Sequence, residues 1–128
     1  MTSYYIDVLL KVAIFATIIN VWIFRFNKPT PYRGGDAKSM KEEFEVYGIS
    51  DTFMYIIGAI KIVLAICLLL SIWFPEWSIP SALAMAIMML GAITMHFKAN
   101  DPGIRSFPAL ALLIGCILII VLETFQMS

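Results

Sequence analysis

The chain has 128 residues, no net charge, 61% apolar residues and only 14% charged ones, against about 45–50% and about 25% in soluble domains. That length allows one domain, residues 1–128, and it cannot hide so much apolar surface from water. The composition excludes an ordinary soluble enzyme and predicts an all-α integral membrane protein.

The first apolar run covers about residues 5–26. At about 1.5 Å per residue, a helix of this length crosses the hydrocarbon core of a bilayer. No basic n-region precedes the run and no small-x-small cleavage site follows it, so it reads as a span and not a signal peptide. Asp7 and Lys11 stand four apart on one face, whereas Asn20, two and a half turns beyond Lys11, faces away from it or at best sits obliquely to it. Trp22 and Phe24 approach the far interface, where Arg25 and Lys28 close the span.

Residues 27–50 form the long connector. Pro29 and Pro31 bar helix, and Gly34-Gly35 marks a turn. Ser39 and Glu42 fit a capping box. Met40, Phe44 and Tyr47 then recur at helical spacing among Lys41, Glu42, Glu43 and Glu45, and Gly48 stops the pattern. The spacing predicts a short amphipathic helix, lying on the membrane surface or packed on the end of the bundle.

The second span covers about residues 53–74, after a cap at Ser50 or Asp51, and carries Lys61 near its middle. A mid-membrane lysine costs about 2.5–3.5 kcal/mol on insertion scales, which predicts that Lys61 points into a bundle. Trp73, Phe74 and Trp77 form an interfacial cluster. The segment PEWSIP allows only a tight turn, so spans two and three are antiparallel neighbours.

The third span, about residues 80–96, is rich in small residues and methionine. Ala82 and Ala86 permit close helix approach. Met85, Met88 and Met89 fill gaps, or accommodate a greasy ligand. The connector at about residues 97–106 turns at Asp101-Pro102-Gly103. Pro108 opens the fourth span, about residues 107–125, in which Ala111 and Gly115 make a close-packing face and Glu123 lies near the end. All six prolines fall in connectors or at span starts, which supports a four-span antiparallel bundle independently of hydropathy.

Lysine and arginine are distributed asymmetrically. Of the nine, Arg25, Lys28, Arg33, Lys38, Lys41, Lys98 and Arg105 share the side of connectors one and three, and Lys11 and Lys61 lie within spans. The positive-inside rule places residues 27–50 and 97–106 in the cytoplasm and both termini outside. Topology and attraction to anionic headgroups account for these basic connectors.

Counting along the helices brings Asp7, Lys11 and Glu123 to one depth, as an ionic cluster of two acids and one base. Lys61 lies near the midplane without an acid at its level. Its available partners are Asn20, Tyr55, a backbone carbonyl, or the polar head or anion of a ligand. It therefore snorkels or lines a polar pocket, and an intramembrane ionisable group is a functional candidate by default. His96 and Asp101 can hydrogen-bond to each other and complete the ligand-binding candidates: Lys61, Asn20, Tyr55, His96 and Asp101. A single histidine without clustered cysteines or carboxylates predicts no metal site. Cys67 and Cys116 read as small buried hydrophobes. No nucleophile–base pair, phosphate loop or nucleic-acid signature is present.

The segments FNKPTPYRGGDA (Phe26–Ala37), EEFEVYG (Glu42–Gly48), GAIK (Gly58–Lys61) and GAITMHFKANDP (Gly91–Pro102) stand in the same order as in the DoxX-like family of small four-span membrane proteins, which the chain resembles. The resemblance implies a four-helix bundle in the bacterial inner membrane. Some family members are linked by name to thiosulfate:quinone oxidoreduction and oxidative-stress complexes, and an animal relative looks like an assembly chaperone for ligand-gated channels. No catalytic residue carries over, and the absence of redox-spaced cysteines speaks against thiol chemistry.

The expected role is an accessory or assembly subunit without catalysis of its own, with a small lipophilic-ligand pocket in the bundle. Quinone or lipid is the expected ligand. Membrane lipid and a membrane protein or second copy are the expected partners, and nucleic acid is not. The alternatives are a quinone-linked oxidoreductase subunit and a small carrier or channel.

Overall fold

Four apolar runs form four helices long and apolar enough to cross a membrane, at Tyr4–Phe24, Asp51–Leu70, Pro75–Lys98 and Gly103–Phe125. The computed structural model describes residues 2–125, with side chains from residue 4. Residues 1 and 126–128 of the expected domain lie outside the described residues. The chain is an all-helical membrane bundle. Its α-helices are α1 (Thr2–Ile19), α2 (Met40–Val46), α3 (Asp51–Leu70), α4 (Ser78–Lys98) and α5 (Phe107–Phe125). In the bundle α1 packs on α3 and α5, and α4 packs on the same two, with α4–α5 the most extensive pair.

Each long helix buries a stripe at spacings of three and four. On α1 the stripe is Asp7, Lys11, Ile14 and Ile18, continued by Trp22 just beyond its end; on α3 it is Met54, Gly58, Lys61, Ala65 and Leu68. The opposite faces leave Leu9, Val12, Ile56, Ile60, Val63, Leu83 and Ile87 exposed, as lipid-facing helices require. Polar residues thus occupy stripe positions where apolar ones would ordinarily pack.

Several element ends differ from the sequence reading. After Ile19, α1 widens into a π-helical turn, Asn20–Phe24, closed by the Arg25 N–H donating to the Asn20 carbonyl at 2.8 Å. The second span stops at Leu70, four residues early: the Ile72 and Trp73 N–H groups close tighter turns onto the Leu69 and Leu70 carbonyls, ahead of Pro75, which disfavours helix in the residue before it. A short 3₁₀ turn, Pro75–Trp77, follows, and α4 already begins at Ser78. Pro80 is tolerated there because the first turn of a helix has unpaired N–H groups anyway. At its other end α4 extends past His96 to Lys98.

Helix α2 has the Ser39 N-cap of the expected capping box, the Glu42 N–H donating to Ser39 Oγ at 3.2 Å, while Glu42 Oε2 accepts from the Ser39 hydroxyl at 3.4 Å in place of the backbone N–H. Gly48 closes the segment at φ +75°. Met40 and Phe44 are buried in the common core. The helix therefore packs on the bundle end, which resolves the choice between a surface-lying and a packed segment.

Candidate functional site

The two basic connectors are joined to each other. The Gly35 N–H donates to Asp101 Oδ1 at 2.9 Å, and Arg105 donates to the Gly35 carbonyl at 2.6 Å and to Asp101 Oδ1 at 2.9 Å. His96 Nδ1 lies 2.9 Å from Asp101 Oδ2 and 3.3 Å from the Tyr47 hydroxyl. Facing a carboxylate, Nδ1 is the ring nitrogen that donates. Burial opposes ionisation of Asp101, but the Gly35 N–H, His96 and Arg105 together outweigh it and hold the carboxyl below its ordinary range.

Arg33 lies beside this network and is buried. Its guanidinium donates to the carbonyls of Arg25 and Lys28, at the end of the first span, and sits 3.7 Å from Glu43. The Arg25 carbonyl also accepts the Lys28 N–H at 3.1 Å, and the planar fork of arginine reaches both carbonyls at once. Burial lowers the Arg33 pKa and raises that of Glu43, and the attraction between the two offsets part of each effect. Tyr47 is likewise pushed up, first by burial and then by the Glu43 charge. The basic connectors are thus structural locks as well as topology signals.

A cavity of about 630 Å³ opens between α1, α5 and the first connector, with Arg33, Glu43 and Arg105 of this layer among its lining residues. Ile18 and Val21 form one wall and Ala109 and Leu112 the other, with Lys61, Met89 and His96 behind them. Lys61 is only 9% exposed and lines the cavity without a side-chain hydrogen bond; Glu43, an acid that counting along the helices did not bring near it, lines the same cavity. Its nearest support is the Trp22 ring, 5.4 Å from Nζ to centroid, a cation–π distance. Trp22 is buried against Phe44 and Phe26. It turns inward, where the sequence suggested an interfacial aromatic.

The five ligand-binding candidates are distributed unequally. Lys61, Asn20 and His96 line the cavity. Asp101 does not; it stands behind His96 as its partner. Tyr55 is 60% exposed and stacks on Phe26, on another face of α3 from Lys61, and so lies outside the cavity. Six helical residues turn its side chain well away from that of Lys61.

At the other end of the bundle, Asp7, Lys11 and Glu123 come together. Lys11 Nζ is 2.7 Å from Asp7 Oδ2 and 3.0 Å from Glu123 Oε1, and it donates to Ser78 Oγ at 2.8 Å. Three acceptors therefore occupy the three N–H donors of the ammonium.

Sequence reading missed Ser78, Trp22, Arg33, Glu43, Tyr47 and Arg105. Glu43 and Tyr47 carried a weak signal, being four apart on one short helix beside a buried stripe. Arg33, in a Gly-rich connector, carried none. Among the described residues no group of His, Cys, Asp or Glu could hold a metal ion.

The family model described as the DoxX-like family matches residues 34–120. The chain belongs to the DoxX-like family. No curated protein and no solved structure matches it. The stretch matching the DoxX-like family contains Glu43, Tyr47, Lys61, His96, Asp101 and Arg105, hence the connector network and the rear of the cavity. Asp7, Lys11 and Glu123 of this DoxX-like protein lie outside that stretch. Four apolar helices and the family together make it a multi-pass membrane protein.

Proposed function

We propose that this DoxX-like protein is a non-catalytic accessory subunit of the bacterial inner membrane that holds a lipophilic ligand in the cavity between α1 and α5. One observation carries the reading: Lys61, largely buried, turns its ammonium to that cavity with the Trp22 ring as its contact and no side-chain hydrogen bond. A desolvated ammonium strongly favours an acceptor, and a membrane amphiphile with a carbonyl or acidic head supplies one while its tail lies along Ile18, Val21 and Leu112. The basic connectors face the cytoplasm and both termini face outward, as the positive-inside rule requires.

Lys61→Met tests the reading. Removing an unpaired buried charge preserves or raises stability. The wild-type protein, purified in mild detergent, retains one class of amphiphile detected by mass spectrometry of its extract, and the variant loses it. An extract with the same composition for both overturns the ligand reading. Crosslinking in native membranes that captures no partner protein overturns the accessory role.

The His96–Asp101 pair beside the cavity favours a second reading, a quinone-linked redox subunit, because such a pair can pass a proton to a bound quinone. Quinone-dependent turnover by the purified chain supports this reading, and its absence removes it.

A further inference from the structure

The Asp7–Lys11–Glu123 cluster has an uncompensated charge. Asp7 and Lys11 are each 1% exposed and Ser78 is fully buried. Two ionised acids around one ammonium leave a net negative charge in a site almost sealed from water, and an unpaired buried charge is strongly disfavoured. No other ionisable group pairs with the cluster among the described residues. It receives Asp7 and Lys11 from α1, Glu123 from α5, and only the hydroxyl of Ser78 from α4.

A second observation locates the defect. Asp7 Oδ2 is bound to Lys11, but Asp7 Oδ1 is buried and has no hydrogen-bond partner. The Asp7 and Glu123 carboxyl groups are close neighbours, since both bind the same Lys11 ammonium, at 2.7 and 3.0 Å. Two ionised carboxylates offer only acceptors to each other and repel. A proton between them removes the repulsion, supplies the missing donor and brings the cluster to zero charge.

We propose that this cluster is a proton-binding site, in which Asp7 carries a proton on Oδ1 at neutral pH and donates it to the Glu123 carboxylate. Lys11 remains an ammonium bound to Asp7 Oδ2, Glu123 Oε1 and Ser78 Oγ. The proton comes from water and no other bond changes. The site is separate from the cavity and does not depend on the ligand reading.

Infrared spectroscopy of the full chain in lipid nanodiscs at neutral pH tests this. The expected spectrum contains the carbonyl stretch of a protonated carboxylic acid, which shifts when aspartate is 13C-labelled at its side-chain carboxyl. Asp7→Asn abolishes the band. Glu123→Gln abolishes it too, because one acid and one base are then compensated and the glutamine amide donates to Asp7 Oδ1. Absence of a labelled acid band in the wild type, including the case in which a metal cation neutralises the cluster, overturns the proposal. So does a band that survives Glu123→Gln, which would mark an isolated neutral aspartic acid. If either variant fails to fold, the labelled wild-type spectrum alone decides.

Discussion

The Lys61 ammonium lies 5.4 Å over the ring of Trp22, and Gly58, one turn before Lys61, makes room for that ring. A Cβ at Gly58 would meet Trp22 at 2.5 Å. Phe44 and Phe26 pack on the indole, so the ring gives way only toward the cavity it lines, at the expense of these contacts. Gly58→Ala is expected to destabilise the protein by about 1–3 kcal/mol, the cost of overpacking a filled core. Thermal unfolding in detergent measures this, and Trp22→Leu in the same background is expected to recover part of the loss.

Arg33 closes the first span from the connector. Arg33→Met leaves the Arg25 and Lys28 carbonyls and the Glu43 carboxylate without this donor. The expected loss is about 3 kcal/mol or more. Arg33→Lys is expected to recover little, since a single ammonium cannot reproduce the fork. Limited trypsin digestion provides the local readout: cleavage between residues 25 and 41 accelerates in both variants.

Asp101 predicts the acid sensitivity of the connector network. Its native carboxyl gives up a proton more readily than the unfolded one. Its stabilisation is therefore present above the unfolded value of about 3.9 and is lost as pH falls through the lower native value. Asp101→Asn is expected to cost about 1–3 kcal/mol at neutral pH and to flatten the acid limb of stability against pH. An unchanged acid limb in the variant would assign the sensitivity to another group.

Gly34 tests how tightly the connector is seated on α2. An added Cβ would meet the Tyr47 hydroxyl at 2.6 Å and its ring at 2.7 Å. Gly34→Ala is expected to displace Tyr47 from His96 and to lower stability by about 1–3 kcal/mol. Tyr47→Ala in the same background is expected to relieve the clash but not to restore the contact with His96, a difference that thermal unfolding of the single and double variants resolves.

The sequence by itself determined the four spans, the short capped helix and the inward placement of Lys61, because hydropathy, proline positions and helical period are local properties that lipid reads directly. It also placed Asp7, Lys11 and Glu123 at one depth, since depth follows from residue count. Only the tertiary structure decided which neighbours face each other. Trp22 turned inward and took the place beside Lys61, Tyr55 turned outward, and Ser78 joined the ionic cluster from what had read as a turn. Arg105 joined two connectors separated by some 70 residues, and Arg33 tied the first connector back to the end of the first span. Such pairings depend on the rotation of each helix about its axis and on how an irregular connector folds back, and no periodic signal along the chain encodes either.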